Sequence, residues 1–154
     1  MRKLTAQALF LGLLAITCTP SNAQTDRTIT IRMLESKTGT LVKPTKFQVN
    51  VNTKDYSHLE SVTPNKEGLG QLVVKGDVTI ISIQALYEPG DHIFVNCDMV
   101  KDKLSFLTHW YEIPEIFSSG LVAPNNCSKL KAVAKPGEFV FFVRPMNWYE
   151  NLKQ

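Results

Sequence analysis

Cysteines, histidines and paired aromatics are the side chains of this chain that could do chemistry beyond packing. Cys97 and Cys127 stand 30 residues apart, and the third cysteine, Cys18, sits in an apolar N-terminal stretch. In an oxidising compartment an even pair reads as one disulfide. Closing a loop of about 30 residues stabilises a fold by roughly 3–4 kcal/mol in chain-entropy terms. The alternative is a reactive thiol at either position. A Cys–His nucleophile built on Cys97 fails once the disulfide forms, because no thiolate remains. His58, His92 and His109, with Asp91, Asp98 and Asp102, supply enough donors for a metal. Their spacing matches no zinc or calcium loop, so exposed loop residues are the plainer reading. No Gly-x-Ser-x-Gly elbow, Walker loop or His-Glu-x-x-His occurs. No cofactor is expected. Two aromatic pairs remain, Trp110-Tyr111 and Trp148-Tyr149. Meeting on one surface, they would bind sugar, peptide or a protein partner. The alternative is that they cap the core, the commoner use of large aromatics.

The N-terminal segment decides which of these groups stay with the working protein. Arg2 and Lys3 precede the apolar run Ala8 to Ile16, and Ser21 and Ala23 follow with small side chains. This is the three-part pattern of a secretory signal peptide over residues 1–23, with the mature chain starting near Gln24. The apolar run is roughly half the ~20 residues a transmembrane helix needs. A rival reading makes Cys18 the lipidated residue of a lipoprotein box, though Thr17 is a poor residue to precede it. Removing the signal takes two of the 17 basic residues and none of the 14 acidic ones, so net charge falls from +3 to +1. A near-neutral domain has no electrostatic case for nucleic acid or an anionic membrane. No later stretch is long and apolar enough to span a bilayer as a helix. Export points to the periplasm or the extracellular space.

Residues 24–154 suit one domain, and they read as strands separated by turns. Thr28 to Leu34 alternates, as do Phe47, Val49 and Val51 against Gln48, Asn50 and Asn52. The spacing lets these two strands pair around the Gly39 to Pro44 connection. Thr53 to Asn65 reads as a long loop with a short strand at Leu59 to Val62. Asn65 to Gly70 is a turn before a strand at Gln71 to Val74. Val78 to Tyr87 follows, then the Glu88-Pro89-Gly90-Asp91 turn and a strand around Ile93 to Cys97. The single helix is predicted at Pro114 to Ser119, with Pro114 at its start and Gly120 at its stop. Glu138 to Arg144 is the strongest strand, apolar on both faces. Its second face wants cover from the Pro114 helix or from Met146 to Leu152. Short strands, frequent turns and little helix predict an all-β, antiparallel β-sandwich with one short helix.

Thr30 to Val51, reading TIRMLESKTGTLVKPTKFQVNV, resembles the opening of transthyretin-like, carboxypeptidase-regulatory-like domains, which carry a strand, an acidic-x-x-Thr-Gly turn and a second strand. Asn65 to Gly68 followed by Gln71 to Val74 resembles their next turn and strand. Phe94 to Asp98, Leu121 to Cys127 and Lys135 to Pro145 resemble a group of small secreted bacterial proteins of unknown function. Lys43-Pro44-Thr45 departs from the Gly-Ala-like pair common before the second strand. The resemblance implies an immunoglobulin-like, prealbumin-like sandwich and carries over no catalytic residue. Hydroxyisourate-type hydrolases of this kind end in Tyr-Arg-Gly-Ser, whereas this chain ends Trp148-Tyr149-Glu150-Asn151-Leu152-Lys153-Gln154. A Lys–Asn isopeptide bond would need a lysine where the first strand has Arg32. The expectation is a secreted, non-catalytic sandwich with a binding or structural role. A small secreted hydrolase or metal-dependent enzyme with a loop-built site is the alternative.

Overall fold

The computed structural model describes residues 25–52, 57–86, 94–98 and 109–147. The expected signal segment, the expected Glu88 to Asp91 turn and the Trp148-Tyr149 pair lie outside these residues. Alternating apolar and polar side chains build β1 (Arg27–Glu35), β2 (Lys46–Asn52), β3 (Ser57–Val62), β4 (Gly70–Val74) and β5 (Ile80–Leu86). Three short strands follow, β6 (Phe94–Asn96), β7 (Tyr111–Glu112) and β8 (Leu121–Val122), and the last is β9 (Glu138–Pro145). Helix α1 (Ile113–Ser119) starts one residue before the predicted point. It ends where Gly120 turns to φ 76° and gives its N–H to the Ile116 carbonyl. A Cβ at Gly120 would lie 2.3 Å from the Lys135 carbonyl oxygen, so both backbone angle and space demand glycine there.

The strands form two sheets. The first runs β4-β1-β9, with β6 and β8 sharing the far edge of β9. The second runs β3-β2-β5-β7. Between them lie Ile29, Ile31, Met33, Phe139, Phe141 and Val143 from the first sheet and Phe47, Val49, Val51, Ile81 and Ile83 from the second. Phe47 and Phe141 meet edge to face across the gap, 6.0 Å between ring centres. At Gly70 a Cβ would sit 2.8 Å from the Phe47 ring, so the missing side chain lets that ring in. The architecture is the all-β sandwich with one short helix that the alternation predicted.

Four expectations need correction. First, β1 and β2 do not pair: they lie in different sheets, and the Leu34–Leu41 bridge ties β1 to the connection between them rather than to β2. Both edges of β1 are occupied, one by β4 and the other by β9. Second, the first sheet is mixed rather than antiparallel. β1 and β9 run parallel from Thr30–Glu138 to Glu35–Val143, and β8 also runs parallel to β9. A parallel pair needs a long crossover, which most of the domain here supplies. Third, β3 begins at Ser57 and pairs with β2 along its whole length. Fourth, among the described residues the second apolar face of β9 is not covered by α1, whose Ile116 and Phe117 pack in the main core, and most of the Met146 to Leu152 segment lies outside the described residues. Val140 and Phe142 pack with Leu34, Cys97, Leu41, Val122, Cys127, Leu130, Ala132 and Ala134. The cover is therefore the stretch from Leu121 to Ala134.

That cover is fastened at several points. The Cys97–Cys127 disulfide ties it to the end of β6. Asn125 Nδ2 donates to the Ser36 carbonyl at 2.9 Å and to the Leu130 carbonyl at 3.1 Å, and the Ser128 hydroxyl also donates to Ser36. Arg32 leaves the outer side of β1, donates to the Val133 carbonyl at 2.7 Å and pairs with Glu138 at 3.1 Å. These bonds pin the cover to β1 and to the turn that follows it.

Candidate functional site

Alternation along β7 sends neighbouring side chains to opposite sides of the second sheet. Tyr111 enters the core, where its ring lies 4.8 Å from Phe139. His109 shares that side, 5.4 Å from the Tyr111 ring. Trp110, between them, faces outward and is 42% exposed. Of the Trp110-Tyr111 pair, Tyr111 is a core residue, as the core-capping alternative has it, and Trp110 is the exposed member. Trp148 and Tyr149 lie outside the described residues.

The inward corner holds a buried polar pair. The Tyr111 hydroxyl donates to Asp98 Oδ2 at 2.7 Å, and both residues are buried. Burial pushes the Asp98 carboxyl above its ordinary range, outweighing the downward pull of the Tyr111 hydroxyl, its own backbone N–H and His109. Burial, reinforced by the Asp98 charge, pushes the Tyr111 hydroxyl up as well. Asp98 Oδ1 is buried without a hydrogen-bond partner among the described residues. Nearby, Asn96 Nδ2 crosses the gap between sheets to the Ile83 carbonyl at 2.8 Å. Asp98 is therefore engaged by a tyrosine.

The other candidates separate. His58 lies on β3 and pairs with Glu60 at 2.8 Å. His92, Asp91 and Asp102 fall outside the described residues. Among the described residues no three His, Cys, Asp or Glu side chains gather as a metal site would require. Cys97 and Cys127 form the expected disulfide, so neither offers a thiolate. A formed disulfide fits an oxidising compartment. Among the described residues no helix is long and apolar enough to cross a membrane.

The outward side of the second sheet carries what sequence reading passed over. Phe47, Val49, Val51, Ile81 and Ile83 all point into the core. Gln48, Asn50, Asn52, Ser82 and Gln84 therefore share the opposite face. Cross-strand register sets Asn50 beside Ser82 and Leu59, and Gln48 beside Gln84 and Ser61. Ile81 pairs with Tyr111, and Trp110 directly precedes β7 at this edge of the sheet. One row across the sheet reads Ser82, Asn50, Leu59. Ser82 is fully buried, and its hydroxyl has no partner among the described residues. Lys46 and Glu112 are the charged residues of this face among the described ones, at its opposite ends. The available signal was the run of Gln48, Asn50 and Asn52 at alternate positions, which register alone turns into a surface.

No protein-family model, curated protein or solved structure matches this chain.

Proposed function

We propose that this protein is a secreted, non-catalytic β-sandwich of prealbumin-like class that works by binding, in the periplasm or outside the cell. The carrying observation is the half-exposed Trp110, which directly precedes the edge strand β7 of the four-stranded sheet. Rigid aromatic area costs little conformational entropy on binding, which is why indoles anchor recognition surfaces. The disulfide supports an exported setting. The test is affinity capture from the native envelope fraction, comparing immobilised wild-type protein with Trp110→Ala. A component held by the first and released by the second is the expected result. Identical captures from both would count against the reading.

A second reading, a small secreted hydrolase, has one observation in its favour: a carboxyl raised by burial beside His109 and Tyr111. Any hydrolysis by the purified protein that Asp98→Asn abolishes, with folding intact, would replace the binding reading.

A further inference from the structure

We infer that the extended stretch from Lys129 to Lys135, on the outer side of the first sheet, takes up an acidic peptide as an added strand. The inference goes beyond the Trp110 reading, because this stretch lies over the other sheet and needs nothing from β7. Exposure alternates along it without a break. Leu130, Ala132 and Ala134 turn inward and pack with Val140 and Phe142. Lys129, Lys131, Val133 and Lys135 are exposed. Alternation of this kind is the period of a strand. At ~3.3 Å per residue the exposed positions stand about 7 Å apart, over about 20 Å in all.

This strand-like stretch belongs to neither sheet. The backbone N–H groups of Lys129, Lys131, Ala132, Val133 and Ala134 donate to none of the described residues. Its position is held all the same: Asn125 binds the Leu130 carbonyl, Arg32 the Val133 carbonyl, and Glu138 accepts from the Lys135 N–H. An extended, anchored segment with open amides is what strand addition requires. Charge selects the partner. Lys129, Lys131 and Lys135 make no ion pair among the described residues, and Glu138 is taken up by Arg32 and the Lys135 amide. Opposite charges directly across two strands attract. An extended peptide with an acid at every second residue repeats the spacing of Lys129 and Lys131 and offers its own backbone groups to the open amides. Val133, 82% exposed, would face an apolar residue of that peptide. A single phosphate or carboxylate would engage one lysine, and an anionic polysaccharide or membrane would use the charges and leave the amides idle.

The test is fluorescence anisotropy of the purified full chain with a labelled heptapeptide in which glutamates alternate with threonines, a valine replacing the glutamate that would face Val133. Wild-type protein should bind it about tenfold or more tighter than an isomer whose glutamates are contiguous. Lys131→Glu should weaken binding about tenfold or more, and Lys131→Arg should keep it. Lys75→Glu, the same charge change at an exposed position outside the stretch, should leave it unchanged. Unaltered urea midpoints separate lost binding from lost folding. Alternate amides of a strand face the same neighbour, so N-methylating every second peptide amide should abolish binding in one phase and spare it in the other. Tolerance of both methylation patterns, or equal binding of both glutamate arrangements, would overturn strand addition. Peptide binding that survives Lys131→Glu would overturn the assignment to this stretch. Lys131-dependent binding of polygalacturonate or phosphatidylglycerol vesicles, with none of the peptide, would overturn the choice of partner. No binding of any of these probes would overturn the inference and leave the Trp110 reading standing.

Discussion

At the scale of single residues, two carboxylates push stability in opposite directions with pH. The Thr38 hydroxyl is the largest cause holding Glu35 below its ordinary value, joined by the Thr38 and Lys37 backbone N–H groups. A lowered value means this stabilisation is present above the ordinary carboxylate range and is lost as pH falls through the lowered value. Asp98 runs the other way. Its raised value means its contribution is fully present below the ordinary carboxylate range and is lost as pH rises through the raised one. Asp98→Asn should therefore flatten the decline in urea stability on the upward side and leave the acid limb, where Glu35 acts, unchanged. Tyr111→Phe strips the buried carboxylate of its 2.7 Å donor and should cost about 1.5–3 kcal/mol at neutral pH, and less in acid. Ser82→Ala removes a buried hydroxyl with no described partner, so the urea midpoint should hold or rise by up to about 1 kcal/mol.

At the scale of elements, the stretch from Leu121 to Ala134 does what a second layer does elsewhere: it hides the outer face of β9. Cys97→Ala with Cys127→Ala should cost roughly 3–4 kcal/mol by loop entropy, read as a lowered urea midpoint. It should also increase dye binding to the apolar face of Val140 and Phe142. If the double variant melted like the wild type with no new dye binding, the remaining pins at Arg32 and Asn125 would be holding the cover alone. The junction from α1 to β8 has no such redundancy. Gly120→Ala meets both the positive φ and the Lys135 carbonyl, so a loss of about 1–3 kcal/mol is expected in thermal melts. The edge strand β3 is guarded differently. Phe47 and Val49 point into the core and pair with Val62 and Glu60, so Glu60 and its partner His58 lie on the core-facing side. Inward charge of this kind discourages further strand addition.

At the scale of the whole molecule, the fold is closed by its two most distant described strands. β1 and β9 pair in parallel over six residues at the centre of one sheet, with most of the domain between them in sequence. Long-range pairing of this kind folds in milliseconds to seconds rather than microseconds. It also makes β9 indispensable. A chain ending at Gly137 loses Phe139, Phe141 and Val143 from the core and Val140 and Phe142 from under the cover. It should show no cooperative thermal transition, and a retained sharp melt would contradict the central place of this strand.

The sequence by itself determined the longer strands, the one helix and the cysteine pairing, because these depend on local alternation, on Pro114 and Gly120, and on an even count of two cysteines beyond the N-terminal segment; the two-residue strands β7 and β8 are too short to carry an alternation. The acidic residue of the Glu35 to Gly39 turn was legible too, and the structure shows it capping the Lys37 and Thr38 amides. Tertiary structure alone decided which strands are neighbours. Local pattern says that β1 has two edges but not that β4 and β9 take both, so β2 goes to the other sheet. It says that β9 is apolar on two faces but not that the Leu121 to Ala134 stretch covers the second. It shows Trp110 and Tyr111 as a pair, while the pleat sends one to solvent and the other to the core. The polar row of the second sheet exists only through cross-strand register: Asn50 and Ser82 lie far apart in sequence and become neighbours because backbone hydrogen bonding aligns them.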